Sequence, residues 1–133
     1  MEDYKFTFEL FPALMAISRL HPKAPFPSWA KDSEFTVMTR TPDEVSIICA
    51  EIVVPKGIIA ERGYKLLRIK GPLDFSLIGV LSSVLTILAD AKISVLAFST
   101  YDTDYIMVKE NDLERALAAL YKQGHTVNIL KAK

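Results

Sequence analysis

The chain has 133 residues, of which 50% are hydrophobic and 24% are charged, and its 16 basic and 16 acidic residues cancel to a formal net charge of zero. This length and composition fit one ordinary domain, or two small modules that share a core. Because the chain has no net positive field, neither a nucleic acid nor an anionic membrane is a favoured partner.

Cysteine content and the first residues indicate the compartment and the cofactors. Cys49 is the single cysteine, so no internal disulfide can form. With only two histidines in addition, the chain has few ligands for a Cys/His zinc site. The acidic start at 1–5 is unlike a signal peptide, and the mostly apolar segment 77–91 is too short to span a bilayer. We therefore expect a cytoplasmic protein without a metal or another cofactor.

The first half of the chain has the pattern of short strands and almost no helix. Strands are predicted at 5–10, 13–20, 34–39 and 45–52. The first alternates polar and apolar residues, and the second is an apolar run that is also compatible with a short helix. Three prolines forbid a continuous helix in 21–29, where one helical turn near 28–31 is expected.

The second half has a clearer order of elements. A strand at 64–70 comes first, and a helix follows that is capped by Asp74 or Ser76 and has apolar residues repeating over 77–88. Strands are predicted next at 93–98 and 105–108. A second helix is opened by a capping box at 111–114 and ended by Gly124, and a last strand is predicted at 125–130. Gly79 falls inside the predicted first helix.

This order, βαββαβ, is that of a ferredoxin-like α+β module, with a four-stranded antiparallel sheet and both helices on one face. The boundary between two modules, 1–62 and 63–133, is placed in a segment that contains Pro55, Gly57 and Gly63. The other sheet face would be open, so a second copy of the module or a second subunit is expected to cover it.

The turn at 99–104 concentrates polar side chains, with three hydroxyls and two carboxylates in six residues. Such a turn can hold a small polar ligand, although Ser, Thr and Asp also favour turns because they bond their own backbone. Residues 41–51 align with 100–110 at four of eleven positions, which suggests an internal repeat at a spacing of 59 residues.

Residues 67–120 resemble an ACT domain, and more narrowly the tandem-ACT proteins that include the CASTOR-type arginine sensors and related small bacterial proteins. The resemblance lies in 93–95, 99–108 and 111–113, and a second patch at 35–44 resembles the preceding ACT module of those proteins. Prolines stand where the first helix of that module would be, so the resemblance implies a degenerate, helix-poor ACT-like module before the ACT domain.

The resemblance implies a noncatalytic regulatory protein that senses an amino acid at an interface between ACT modules, as a homodimer that regulates a partner protein. Ligands in ACT domains sit between the loop after the first strand and the second strand. Carried over to this chain, the ligand-binding residues are Asp74, Phe75, Ser76, Leu77, Ile78, Phe98, Ser99, Thr100, Asp102 and Asp104. A helix start there can bind a carboxylate, and the aspartates can bind an ammonium group.

The alternative is a ligand-free structural or assembly module that dimerises or binds a partner protein, in which the polar turn only closes a hairpin. Catalysis is disfavoured, because the sequence has no nucleophile elbow, no phosphate-binding loop and no pair of metal ligands on a helix.

Overall fold

A computed structural model describes residues 5–132. Within them, strands and α-helices follow in the order β1 (Thr7–Leu10), β2 (Met15–Leu20), β3 (Thr36–Arg40), β4 (Val45–Ala50), β5 (Ile59–Ile69), α1 (Val80–Asp90), β6 (Leu96–Ser99), β7 (Asp104–Lys109), α2 (Leu113–Lys122) and β8 (Thr126–Ile129). Neither α-helix among these residues has the length and the apolar run that a transmembrane helix needs.

The chain forms two compact units. The first unit consists of residues 13–64, and the second unit consists of the described residues before Ala13 and after Tyr64, so that β5 contributes residues to both. The predicted boundary at 62 and 63 lies close to the observed passage between units, but the start of the chain does not join the first unit. It joins the second because β1 pairs with the end of β5, with Phe8 opposite Ile69.

The first unit is built from antiparallel strands in the order β3, β4, β2 and the beginning of β5. Alternating residues of β4, Val45, Ile47 and Cys49, are fully buried in its apolar core, as period-2 alternation requires. Residues 13–64 contain no α-helix, only short 3-10 turns at Ser28–Asp32 and Glu51–Val53. The predicted helix-poor character and the helical turn near 28–31 are therefore confirmed.

Ser18 is a polar residue in the core of the first unit. It lies on β2 between Ala16 and Leu20, which both belong to the apolar cluster, so alternation turns all three to the same side. Ser18 is 1% exposed, and its hydroxyl has no hydrogen-bond partner among the described residues. A buried hydroxyl without a partner has lost its hydration without compensation.

We therefore expect Ser18→Ala to raise the free energy of unfolding by about 1 kcal/mol, since the penalty for an unsatisfied buried polar group disappears. Urea denaturation of both proteins measures the difference. Ser46→Ala is the matched control, because the Ser46 hydroxyl donates to Glu44 at 2.7 Å and its removal is expected to destabilise slightly. A loss of stability in Ser18→Ala would contradict the expectation.

The second unit has both helices on one face of its sheet. Its strands lie in the order β6, β7, β5, β1 and β8, with β8 parallel to β1. The core combines residues of the sheet and of both helices, among them Phe8, Leu67, Val84 and Leu120. The prediction of a four-stranded antiparallel sheet was wrong, because β1 inserts between β5 and β8 and adds a fifth strand.

The opposite face of this sheet was expected to be left open by the βαββαβ module itself and to be covered by a second module or a second subunit, and at its centre it is buried. Leu66 and Met107 alternate with core residues along β5 and β7, and both are fully buried. Beside them Arg68 donates to Glu9 at 2.9 Å, and its guanidinium lies 5.0 Å from the centre of the Phe11 ring. Arginine stacked on an aromatic face and paired with a carboxylate shields the apolar surface below it.

The helix starts differ from their predicted positions. Helix α1 begins at Val80, because Gly79 before it has a left-handed backbone with φ of 78° and interrupts the helical run. Leu77 and Ile78 are 36% and 82% exposed, and so lie outside the buried stripe in which they were predicted. The predicted capping box before α2 does not form either, since a 3-10 turn at Glu110–Asp112 precedes the helix and no side chain caps it.

The suggested internal repeat has a local counterpart in the structure. In one hairpin Thr41 N–H donates to Glu44 O at 2.9 Å and Glu44 N–H to the Thr41 hydroxyl at 3.2 Å. In the other, Thr100 N–H donates to Thr103 O at 2.9 Å and Thr103 N–H to the Thr100 hydroxyl at 3.4 Å. The two turns, at 41–44 and 100–103, therefore have the same bonds at the same 59-residue spacing.

Candidate functional site

A cleft of about 180 Å³ lies in the second unit between the loop that follows β5 and the turn between β6 and β7. Its lining residues are Leu73, Asp74, Phe75, Leu77, Val80, Ser99, Thr100, Tyr101, Asp102, Thr103 and Asp104. The structure thus brings together seven of the ten predicted site residues. Ser76, Ile78 and Phe98 do not line the cleft.

Two hydrogen bonds to backbone carbonyls hold the β5–α1 loop and the end of β5 against the 99–104 turn. The Leu73 N–H donates to Asp102 O at 2.8 Å, and the buried Thr103 hydroxyl donates to Ile69 O at 2.6 Å. A Cβ on Gly71 would lie 3.1 Å from Thr103 Cβ and 3.2 Å from Asp102 O, so only glycine permits this approach without a shift. The cleft is therefore fixed by the end of β5 as much as by the turn.

Asp74 shapes the loop on one side of the cleft. Its Oδ1 accepts the Ser76 N–H at 2.8 Å and the Ser76 hydroxyl at 2.7 Å, and Leu77 N–H donates to Asp74 O at 3.1 Å. The backbone bond from Ser76, followed by the hydroxyl bond, lowers the pKa of the Asp74 carboxyl below its ordinary value. Asp74 therefore stays ionised at neutral pH, and Ser76 is turned toward Asp74 rather than into the cleft.

The other side of the cleft is set by the pairing of β6 with β7. Ser99 lies opposite Asp104, and its hydroxyl donates to Asp104 Oδ1 across the two strands. Phe98 lies opposite Tyr105, and the two rings stack with centroids 5.2 Å apart. Because neighbouring side chains of a strand alternate between faces, Ser99 reaches the cleft and Phe98 does not.

The charge of the cleft has one sign. Asp74, Asp102 and Asp104 are among its lining residues, and none of the eleven is a lysine, an arginine or a histidine. Phe75 and Tyr101 meet edge to face at 5.1 Å beside them and are 74% and 82% exposed. Carboxylates and aromatic faces both attract cations, so the cleft suits a ligand that carries a positive group.

Comparison with the hairpin of the first unit shows which residues of the 99–104 turn are needed for the turn itself. Asp43 occupies the place of Asp102 in the matching turn, so an aspartate at this place fits the turn and is not by itself a sign of binding. The places of Ser99 and Asp104 hold Arg40 and Val45, and the same turn bonds form without a hydroxyl–carboxylate pair. The Ser99–Asp104 pair is therefore not required by the turn.

Four lining residues were not among the predicted site residues: Leu73, Val80, Tyr101 and Thr103. Thr103 and Tyr101 lie inside the polar turn that was singled out, so proximity in sequence was a usable signal for them. Leu73 lies at the cleft because its N–H bonds Asp102 O, and Val80 lies there as the first residue of α1. Among residues 5–132, no group of three His, Cys, Asp or Glu side chains is placed to hold a metal ion.

Comparison with known proteins assigns the fold. Residues 59–122 match the family model of the ACT domain, and residues 14–57 match a model described as an N-terminal domain. Protein Atu0741 from Agobacterium tumefaciens is 29% identical, with a TM-score of 0.90 over 97% of this chain and 96% of that chain. No curated protein matches the sequence.

Two more distant solved structures share the fold alone. Aspartate kinase from Synechocystis is 17% identical, with a TM-score of 0.71 over 97% of this chain and 28% of that chain. The regulatory subunit of aspartate kinase from Thermus thermophilus is 12% identical, with a TM-score of 0.58 over 84% of this chain and 93% of that chain. The chain thus has an α+β fold of the ACT-like, ferredoxin type, and its residues 59–122 match the ACT domain.

Proposed function

We propose that this chain is a noncatalytic regulatory protein of the cytoplasm that binds an amino acid in the cleft between the β5–α1 loop and the 99–104 turn. The ACT domain match covers both sides of that cleft. The similarity to the regulatory subunit of an aspartate kinase supports a regulatory role. The remaining argument rests on the chemistry of the cleft itself.

The observation that carries the proposal is the Ser99–Asp104 pair. The turn at 41–44 forms the same bonds without such a pair, so Ser99 and Asp104 need another reason to be in the cleft. A carboxylate oriented by a hydroxyl is a good acceptor for an ammonium group, and such charge-assisted bonds are roughly twice as strong as neutral ones. We assign Asp104, with Asp102, to the cationic part of the ligand.

The α-carboxylate of an amino acid has a place at the other side of the cleft. Val80 lines it and is the first residue of α1, where backbone N–H groups without helical partners point outward. The positive end of the helix dipole favours an anion there. Because three aspartates line the cleft, we propose an amino acid with a basic side chain, whose second cation uses the surplus carboxylates.

The size of the cleft supports a dimer. Small-molecule pockets usually measure about 300–1,000 Å³, and this cleft measures about 180 Å³. Phe75, Ile78 and Tyr101 expose large apolar surfaces at its rim. We propose that a second copy of the chain covers this rim and completes the site, and that ligand binding regulates a partner protein through the dimer.

Thermal unfolding with each of the twenty amino acids tests the proposal. A ligand at about 100 times its Kd adds roughly 2.7 kcal/mol to the native state, which is a shift of several degrees for a domain of this size. We expect lysine or arginine to give the largest shift, and Asp102→Asn to lower the affinity by about tenfold or more through loss of a charge-assisted bond. Equal behaviour of all twenty would contradict the proposal.

Asp43→Asn is the matched control for Asp102→Asn, because Asp43 takes the same place in the matching turn and does not line the cleft. The thermal shift should survive in Asp43→Asn. A loss of equal size in both variants would show that a change of turn structure, rather than of the cleft, was responsible.

The alternative function is a ligand-free assembly module that dimerises or binds a partner protein, and the exposed rim favours it specifically. Phe75 and Tyr101 are in contact with each other and largely exposed, which is typical of residues at the centre of an interface. Sedimentation of the wild type and of Tyr101→Ala tests this function. Association that depends on Tyr101 and is unchanged by every amino acid would favour the assembly module over the sensor.

A further inference from the structure

A second concave surface of the second unit lies away from the cleft just described. This interhelix groove has a volume of about 430 Å³, which falls within the usual range of small-molecule pockets. The residues that line it include Lys5, Ser82, Ser83, Ile87, Ala119 and Lys122. None of them lines the cleft, so the groove requires its own explanation.

Two lysines give the groove a positive side. Lys5 is held in place, because its Nζ donates to Gln123 O at 2.7 Å. Gly124 makes room for it, since a Cβ there would lie 3.0 Å from Lys5 Cδ and Cε. Lys122 lies in the last turn of α2. With Asp90 as the single lining carboxylate, the lining residues carry a net charge of about +1 when His125 is neutral.

Helix α1 contributes hydroxyl groups to the groove. Ser82 and Ser83 lie in the first turns of the helix, where the dipole favours negative charge, and neither hydroxyl has an intramolecular hydrogen bond in the described part of the chain. The Thr86 hydroxyl donates to Ser82 O at 2.9 Å. The groove therefore offers two serine donors on the same helix to an oxyanion.

The remaining surface of the groove is apolar. Ile87, Ala91 and Ala119 contribute aliphatic side chains, and the buried ring of His125 adds an aromatic one. The His125 Nδ1 accepts the Phe6 N–H at 3.0 Å, which places the ring proton of the neutral imidazole on Nε2. A molecule that fits this lining has an anionic end and a small apolar body.

We infer that the interhelix groove is a binding site for a small organic oxyanion, a carboxylate or a phosphate ester with a short apolar body. Lys5 and Lys122 neutralise the anionic group, Ser82 and Ser83 donate to it, and Ile87 with Ala119 contacts the apolar part. This site is independent of the proposed amino-acid cleft, and neither function requires the other.

The test is a titration of the full chain, followed through backbone amide NMR shifts, with hexanoate, inorganic phosphate and hexylamine as probes. We expect hexanoate or phosphate to shift the amides of Ser82, Ser83 and Lys122, and hexylamine, which has the opposite charge, to leave them unchanged. A larger response to hexanoate than to phosphate shows that the apolar body contributes to binding. The amides of 99–104 serve as a separate readout, so failure of the amino-acid cleft does not affect the result.

Lys122→Gln is expected to weaken the binding of the preferred oxyanion by about tenfold, through loss of one charge-assisted contact. The variant should fold normally, because Lys122 is exposed and its side chain makes no hydrogen bond or ion pair with another described residue. Lys65→Gln is the control with the same change of charge, since Lys65 bonds Pro12 O and does not line the groove. Equal weakening in both variants, or equal shifts with hexylamine, would overturn the inference.

Discussion

Replacing His125 with alanine is expected to lower the free energy of unfolding by about 3 kcal/mol or more, because a buried ring and a buried hydrogen bond are lost together. His125 is 3% exposed, stacked on Phe6 with centroids 5.7 Å apart and edge-on to Phe8 at 5.6 Å. Its Nδ1 also accepts the Phe6 N–H. His125 therefore attaches the start of β1 to the start of β8.

Chemical denaturation of His125→Ala, His125→Phe and His21→Ala separates these contributions. Phenylalanine keeps an aromatic ring but has no hydrogen-bond acceptor. The His125→Phe variant should therefore lose about 1–3 kcal/mol of its free energy of unfolding, the cost of leaving the Phe6 N–H without this acceptor. The His21 ring lies exposed in a loop and accepts the nearby Lys23 N–H at 3.1 Å, so His21→Ala should change stability by less than about 0.5 kcal/mol. Equal losses at His21 and His125 would contradict the assigned role.

Thr103→Val is expected to cost about 1–3 kcal/mol and to weaken ligand binding in the cleft, although valine has nearly the same shape as threonine. The Thr103 hydroxyl is buried and donates to Ile69 O at 2.6 Å, so its removal leaves that carbonyl without this donor. The loop on the other side of the cleft depends on the same turn, because Leu73 N–H donates to Asp102 O.

Two readouts distinguish local loosening from general destabilisation in Thr103→Val. Hydrogen exchange of the Leu73 amide should accelerate more than exchange in β2 and β4, which lie in the first unit. Thr39→Val is the control, since Thr39 is exposed on β3 and has no side-chain hydrogen bond in the described residues. Unchanged Leu73 exchange in Thr103→Val would contradict the role of the hydroxyl.

Local patterns in the sequence were sufficient for most elements of the second unit. The hairpin of β6 and β7 and the buried stripe of α2 are encoded by residues close together in the chain, and the structure confirms them, with β6 beginning at Leu96 instead of at residue 93. Gly124 ends α2 as predicted, with φ of 89° and a bond from His125 N–H to Leu120 O at 3.1 Å. The insertion of β1 was missed because pairing between Phe8 and Ile69 joins distant residues, and alternation alone does not specify a partner strand.

The start of α1 shows why the apolar period in the sequence led to a wrong position for two of the predicted site residues. Leu77 and Ile78 continue the apolar spacing of the helix, but the Asp74–Ser76 bonds and the left-handed Gly79 end that continuity before Val80. Local hydrogen bonds of the Asp74 side chain thus keep these residues out of the helix that the apolar period predicts. Phe98 was assigned to the site without knowledge of the strand register, and its pairing with Tyr105 turns it away from the cleft.

The most direct test of the central proposal is an amide NMR titration of the full chain with L-lysine and with L-norleucine, which lacks only the side-chain ammonium. We predict shifts at Leu73, Thr100 and Asp104 with both, and an affinity at least tenfold higher for lysine, since one charge-assisted bond contributes about 1.5–3 kcal/mol. The Asp104→Asn variant should bind both amino acids more weakly, because both carry the α-ammonium group to which Asp104 is assigned. No shift at the cleft, or equal affinities for the two amino acids, would contradict a cleft that binds a basic amino acid through its aspartates.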